Sequence, residues 1–189
     1  MLNRPMIQFW LSLVLSCLTV SGAAGKELQV LFLGDNGHHR PPARFAQLQP
    51  VFAARGIAMT YTDKMSDITS ERLAECDALV LYANIDEIAP EPERAILEFV
   101  EDGGGFVPLH CASYCFRNSA AMVKLIGAQF QRHGTGVFRT ERSEASHPIN
   151  EGFGGFESWD ETYVHTLHNE ENRTVLSYRV DAEGREPWT

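Results

Sequence analysis

The sequence predicts an α/β domain built on a central parallel sheet. Apolar strands and amphipathic helices alternate from Glu27 to Leu109, an order typical of a doubly wound sheet. The strands predicted at 27–34, 77–82 and 106–109 are almost continuously apolar, as expected for parallel strands covered on both faces. With 189 residues and 44% hydrophobic content, the chain is long enough for one domain with a substantial core.

Proline and glycine mark the helix boundaries in the first half of the chain. Pro41 and Pro42 open a helix that ends at Gly56, and Pro90 opens another that runs to the glycine turn at 103–105. A second, more exposed strand is predicted at 57–62 and a short helix at 69–75.

The pattern is less regular after residue 110. We expect a helix at 119–127, a loop at 130–134, an edge strand with alternating charge at 137–142 and a turn at 146–149. A further strand is predicted at 173–180, followed by a hairpin turn from Asp181. Because the chain stops directly after Trp188, we expect the domain at 27–189 to be truncated at its C-terminus.

Residues 1–23 have the pattern of a secretory signal peptide. Arg4 gives a short basic region, residues 6–20 are apolar, and Ser21-Gly22-Ala23 offers a small-residue cleavage site. The apolar run is too short for a membrane span; an uncleaved anchor and a lipoprotein signal ending at Cys17 are the alternatives. Either way we expect an exported protein, periplasmic or extracellular, with no stable membrane contact once the signal is removed.

The net charge of −9 argues against nucleic acid or an anionic membrane as a partner, and the helix faces carry no extra apolar stripe that would mark a dimer, so the oligomeric state stays open. Removal of the signal leaves Cys76, Cys111 and Cys115, an odd number that does not build a disulfide framework. Cys111 as a nucleophile would need a lowered pKa; a buried inert thiol is the simpler interpretation.

His110 is the central candidate for chemistry, because ligands of open α/β sheets bind at the carboxyl ends of the strands. A core histidine is the alternative. The adjacent His38 and His39 should point in opposite directions, so at most one joins a site. His165 and His168 receive little weight because their segment reads as extended. The other candidates lie in turns or in an acidic, aromatic stretch: His133, His147, Trp159, Asp160, Glu161 and Tyr163.

Four motifs together resemble the ThuA-like (trehalose utilisation) family, from Leu28 to the last residue. The motifs are Gly103-Gly104-Gly105-Phe106-Val107-Pro108-Leu109-His110, His147-Pro148-Ile149, Asp160-Glu161-Thr162-Tyr163 and Glu186-Pro187-Trp188. The resemblance implies a flavodoxin-like, class I glutamine amidotransferase-like three-layer sandwich. It puts His110 at the nucleophile elbow, where glutaminases have cysteine; Cys111 is one position off, so a Cys-His-Glu glutaminase triad is not expected.

The resemblance also implies a role in sugar metabolism, with oxidised (keto) glycosides or disaccharides as substrates. In the leading hypothesis His110 is the acid/base or ligand and Asp160 or Glu161 is its catalytic partner. The residues expected to bind a sugar-like ligand are His38, His133, His147, Trp159 and Tyr163. The sequence has no standard zinc motif, but a divalent metal held by scattered loops stays open. The alternative function is a non-catalytic sugar-binding or accessory domain of a larger exported protein.

Overall fold

The described part of the chain forms two four-stranded sheets, one parallel and one antiparallel. The computed structural model describes residues 26–143, 147–171 and 173–188. The predicted signal peptide, 1–23, lies outside the described residues. Among the residues that are described, no helix is long and apolar enough to cross a membrane.

The parallel sheet confirms the predicted α/β fold. Its strands are β1 (Leu28–Leu33), β2 (Ile57–Thr62), β3 (Ala78–Leu81) and β4 (Gly105–Pro108). The helices between and after them are α1 (Pro41–Ala53), α2 (Ser70–Ala74), α3 (Pro90–Glu101) and α4 (Ala120–Ile126). The strand order is β2-β1-β3-β4, so the chain reverses direction across the sheet between β1 and β3. That switch point is where ligands of such sheets bind.

Local sequence explains these elements. Leu31, Phe32 and Leu33 are fully buried, as a central parallel strand requires. Side-chain oxygens of Thr69 and Ser119 accept backbone N–H groups at the starts of α2 and α4. Gly104 has no room for a side chain, since a Cβ there would come within 2.4 Å of the Phe99 ring.

The main hydrophobic core lies entirely in this parallel half. Among the described residues, it joins the strands to the inner faces of α2, α3 and α4 and to the turn after β4. The fully buried members are Leu31, Leu33, Leu79, Leu81, Ala83, Ile96, Ala112, Cys115, Phe116 and Met122.

The antiparallel sheet differs from the prediction. It contains β5 (Gln129–Arg142), β6 (Glu157–Thr166), β7 (Ser177–Asp181) and β8 (Gly184–Pro187), in the order β6-β5-β7-β8. The predicted loop at 130–134 is wrong, because it forms the first part of β5, and the predicted edge strand at 137–142 is an inner strand. Gly134 and Gly136 resemble loop residues in the sequence, but both pair with β6 in register.

The remaining predictions in this half agree more closely. A 3-10 turn spans Pro148–Asn150, at the predicted turn. The strand predicted at 173–180 is shorter, beginning at Ser177, and the predicted hairpin is the β7–β8 pair.

Candidate active site

His110 occupies a strained turn directly after β4. Its φ is +48°, in the left-handed region, and it begins a 3-10 turn, His110–Tyr114. This backbone conformation costs a non-glycine residue about 1–2 kcal/mol. The arrangement of strand, strained residue and helical turn is that of a nucleophile elbow, which presents a side chain above the sheet. The side chain of His110 is 31% exposed.

Glu161 on β6 brings the antiparallel sheet to this elbow. Its Oε2 lies 3.3 Å from Nε2 of His110, and its Oε1 lies 3.8 Å from Nε2 of His133 on β5. His133 and Tyr163 are opposite one another in the β5–β6 register, as are Thr135 and Glu161. The pairing therefore places His133 near one oxygen of Glu161, while the other oxygen faces His110.

His39, rather than His38, is the residue of the first loop that reaches His110. The ring centroids of His39 and His110 are 4.8 Å apart, whereas His38 is exposed and contacts His39. The expectation that the two neighbours point in opposite directions is wrong, since their rings are 4.0 Å apart. The segment is a tight turn, closed by Arg40 at φ +55°, and not an extended loop.

Asp35 holds this turn in place at the switch point. Its Oδ1 accepts the backbone N–H of Gly37 at 2.6 Å, and its Oδ2 accepts the backbone N–H of Asn84, in the loop after β3, at 2.5 Å. One carboxylate thus ties together the two loops that flank the switch point.

Two tyrosine rings flank His110. Tyr163 lies 4.8 Å and Tyr82 6.0 Å from its ring, centroid to centroid. Burial raises the pKa of both tyrosines, and for Tyr163 the negative charge of Glu161 raises it further, so both phenols stay protonated. Trp159 is two positions before Glu161 on β6 and therefore lies on the same face of the strand; it is 68% exposed.

Burial also sets the charge of the histidines. It lowers the pKa of His110, and the charges of Glu161 and Asp160 only partly oppose it. Burial lowers the pKa of His39 as well, with the neighbouring His110 and His38 adding to the effect. Burial therefore favours the neutral form of the His110 imidazole, which lies beside the Glu161 side chain.

Three of these side chains could hold a metal ion. His39, His110 and Glu161 each offer one ligand atom, and the three atoms lie within 4.8 Å of one another. Two imidazoles and a carboxylate are a common donor set for catalytic divalent metals.

Two predicted site residues have mainly local contacts. Asp160 is exposed, and its Oδ1 accepts the backbone N–H of Glu161 at 2.8 Å, so it fixes its neighbour as well as adding charge near His110. His147 accepts the backbone N–H of Ile149 at 3.3 Å through Nδ1 and thereby caps its own turn.

The two thiols near the site are buried. Cys111 and Cys115 are both fully buried, and burial raises the pKa of each to about 12. Cys115 donates to the carbonyl of Ala83 at 2.9 Å and accepts the N–H of Ile85 at 3.3 Å, so it anchors the turn to the loop after β3. Neither thiol is placed as a nucleophile.

A second histidine cluster lies beside the site and was not expected from the sequence. Glu186 accepts the backbone N–H of His165 at 3.0 Å, and its Oε1 lies 3.7 Å from the His165 ring and 3.5 Å from that of His168. His165 Nε2 is 3.2 Å from Oγ of Ser113 on the turn after β4. The signal that could have indicated this cluster is the Glu-Pro-Trp motif, to which Glu186 belongs.

A parallel sheet with this strand order, followed by a strained elbow after β4, fits the glutamine amidotransferase-like α/β fold. The chain belongs to the ThuA family, described as trehalose utilisation, whose model matches residues 29–187. No curated protein matches the sequence.

Solved structures with the same fold include two ThuA-like proteins. One, from Bacteroides uniformis, shares 19% identity and a TM-score of 0.68, covering 90% of this chain and 78% of that one. The other, from Parabacteroides merdae, shares 18% identity and a TM-score of 0.73, covering 86% and 74%. A GMP synthase subunit from Thermoplasma acidophilum is similar at 17% identity and a TM-score of 0.50, covering 82% and 74%. These similarities establish the fold.

Proposed function

We propose that this chain is an exported enzyme of carbohydrate metabolism that acts on an oxidised (keto) glycoside or disaccharide. The family supports a carbohydrate-related role. The observation that carries the proposal is the contact between His110, on its strained elbow, and Glu161, 3.3 Å away on the other sheet. Backbone strain persists where the surrounding structure requires it, and it clusters at active sites.

The chemistry of the cluster suits a polyhydroxylated ligand. Imidazole and carboxylate groups can exchange protons with sugar hydroxyls or hold a metal ion that polarises a sugar carbonyl. The protonated phenols of Tyr163 and Tyr82 supply hydrogen-bond donors beside them. Trp159 offers an exposed ring on the same face as Glu161, on which the apolar face of a sugar can stack.

The test is turnover of 3-keto derivatives of glucosides and trehalose by the purified chain, followed by mass spectrometry. We expect His110→Ala and Glu161→Gln each to reduce turnover by at least a hundredfold. The matched control is His168→Ala, which removes a histidine that does not contact His110 or Glu161 and should retain turnover. Tight binding of the keto-sugar without turnover would instead favour the non-catalytic sugar-binding domain.

Export is tested separately from catalysis. Expression of the full gene in a Gram-negative host, followed by fractionation and N-terminal sequencing, should recover a mature chain that begins close to Ala24 outside the cytoplasm. Recovery of the intact N-terminus in the cytoplasm would overturn this part of the proposal.

A further inference from the structure

We infer that His39, His110 and Glu161 form a binding site for one catalytic divalent metal ion of the zinc class. The inference deepens the proposed function and rests on it for its catalytic meaning, because it names the cofactor of the same centre. The metal site itself stands on the geometry of the three ligands.

The distances are compatible with one ion. The three ligand atoms lie within 4.8 Å of one another, and His110 Nε2 is 3.3 Å from Glu161 Oε2. Donor atoms at about 2.0–2.2 Å around a tetrahedral zinc are roughly 3.4 Å from each other. The pair from the two different sheets is therefore already at ligand spacing.

A second observation also favours a bound cation at this site. Oε2 of Glu161 is inaccessible to solvent and, although Nε2 of His110 lies 3.3 Å away, it makes no hydrogen bond within the described part of the chain. A buried carboxylate oxygen without a partner is costly, and such atoms are rare in folded proteins. A metal ion bound by Oε2 and the adjacent imidazoles would satisfy it.

The ligands come from three separate elements that are each fixed without an ion. His39 lies in the turn tied down by Asp35, His110 is held by its left-handed backbone, and Glu161 is fixed by the register of β6 against β5. Ligands that are already held in place lose little conformational entropy when the ion binds.

The donor set also indicates the kind of ion and of site. Two histidines and one carboxylate bind zinc or ferrous iron and leave coordination positions open, as catalytic sites do. His133, 38% exposed, lies near the other oxygen of Glu161, where the exposed part of its side chain can contact substrate. An open position beside it suits a Lewis acid for the carbonyl of a keto-sugar.

The experiment is calorimetric titration of the full purified chain with zinc chloride after chelator treatment, with elemental analysis of the product. We expect one zinc per chain with a micromolar or lower Kd. His39→Ala, His110→Ala and Glu161→Ala should each weaken binding by at least a hundredfold, whereas His168→Ala should not. Circular dichroism checks that each variant is folded, and the visible spectrum of the cobalt-substituted wild type reports its coordination independently of any variant.

Two results would overturn the inference: no stoichiometric ion, or zinc binding that survives in His39→Ala and Glu161→Ala but is lost in His168→Ala. The outcomes separate the two proposals. Keto-sugar turnover by a protein that takes up no stoichiometric zinc would reject the metal site and leave the proposed function standing. Stoichiometric zinc at these residues without keto-sugar turnover or binding would support the metal site and reject the proposed function.

Discussion

Nε2 of His110 lies 3.3 Å from Oε2 of Glu161, and this contact joins the parallel sheet to the antiparallel one. Each residue is placed by its own sheet, His110 by the elbow after β4 and Glu161 by the register of β6. The chemistry of the site therefore depends on how the two sheets pack together.

The strain at His110 predicts a difference between two truncations. Both His110→Ala and His110→Gly remove the imidazole, but only glycine relieves the cost of a φ of +48°. We expect His110→Gly to be more stable than His110→Ala by about 1 kcal/mol, or about 2–4 °C in Tm for a chain of this size. Thermal and urea unfolding measure it; equal stabilities would mean that the turn relaxes when the ring is lost.

A buried ion pair holds the antiparallel sheet. Arg179 and Asp181 pair with side chains only 3% and 5% exposed, and Arg179 Nη2 donates to the carbonyl of Tyr163 at 3.0 Å. Arg179→Met leaves the carboxylate buried without its partner and should destabilise the protein by about 3–5 kcal/mol.

The control for that variant is Arg139→Met, whose side chain is 58% exposed and paired with Glu141. A surface pair is worth at most about 1 kcal/mol. Denaturant unfolding compares the two. The double variant Arg179→Met with Asp181→Asn should recover much of the loss, because asparagine removes the buried charge and keeps the oxygen that accepts the N–H groups of Glu183 and Gly184. Similar losses in both single variants would argue against an isolated buried pair.

The thiol geometry predicts that this chain is not a glutaminase. Cys111 is fully buried beside the elbow, and burial raises its pKa to about 12, so almost no thiolate exists at neutral pH. We expect no ammonia from glutamine in a coupled dehydrogenase assay, and no labelling of Cys111 by a diazo-ketone glutamine analogue. Labelling of Cys111 in the folded protein would show that the turn opens.

The second histidine cluster predicts a loss of stability in acid. Burial lowers the pKa of His165, and His168 and Arg179 lower it further, against the opposing charge of Glu186. Because the unfolded chain then binds the proton more readily than the folded one, the contribution of His165 is present above its ordinary pKa and is lost as the pH falls through the folded value.

Replacement with glutamine tests this effect. The loss in unfolding free energy between about pH 7.5 and pH 5.5 should be smaller in His165→Gln than in the parent. An NMR titration of the His165 ring gives the same answer directly. A ring that becomes protonated at or above the ordinary histidine pKa would contradict the prediction.

The first half of the fold could be predicted because its signals are local. Apolar runs mark β1, β3 and β4, and proline and glycine mark the ends of α1 and α3. The long strand β5 could not be predicted, because Gly134 and Gly136 interrupt its apolar pattern. These glycines are held in a strand conformation by hydrogen-bonded pairing with β6, which the local sequence does not reveal.

Most residues of the candidate site could be predicted from the sequence, but the contacts between them could not. His110 and Glu161 stand in recognisable motifs, yet nothing in the sequence says that they meet, because the packing of one sheet on the other brings them together. The choice of His39 over His38 depends on a turn fixed by Asp35, and the cluster around Glu186 depends on where the last hairpin lies.

The location of the hydrophobic core has a consequence for how long the site stays assembled. None of the residues that form the main core belongs to the antiparallel sheet, within the ranges described, although Glu161 and His133 do. Segments with few buried apolar contacts open at lower free energy than the global transition. Amide exchange in β5 and β6 should therefore be faster than in β1 and β3. Each local opening would move Glu161 and His133 away from His110 while the parallel half stays folded. A ligand that binds both His110 and Glu161 would stabilise the packing of the two sheets and slow amide exchange in β5 and β6.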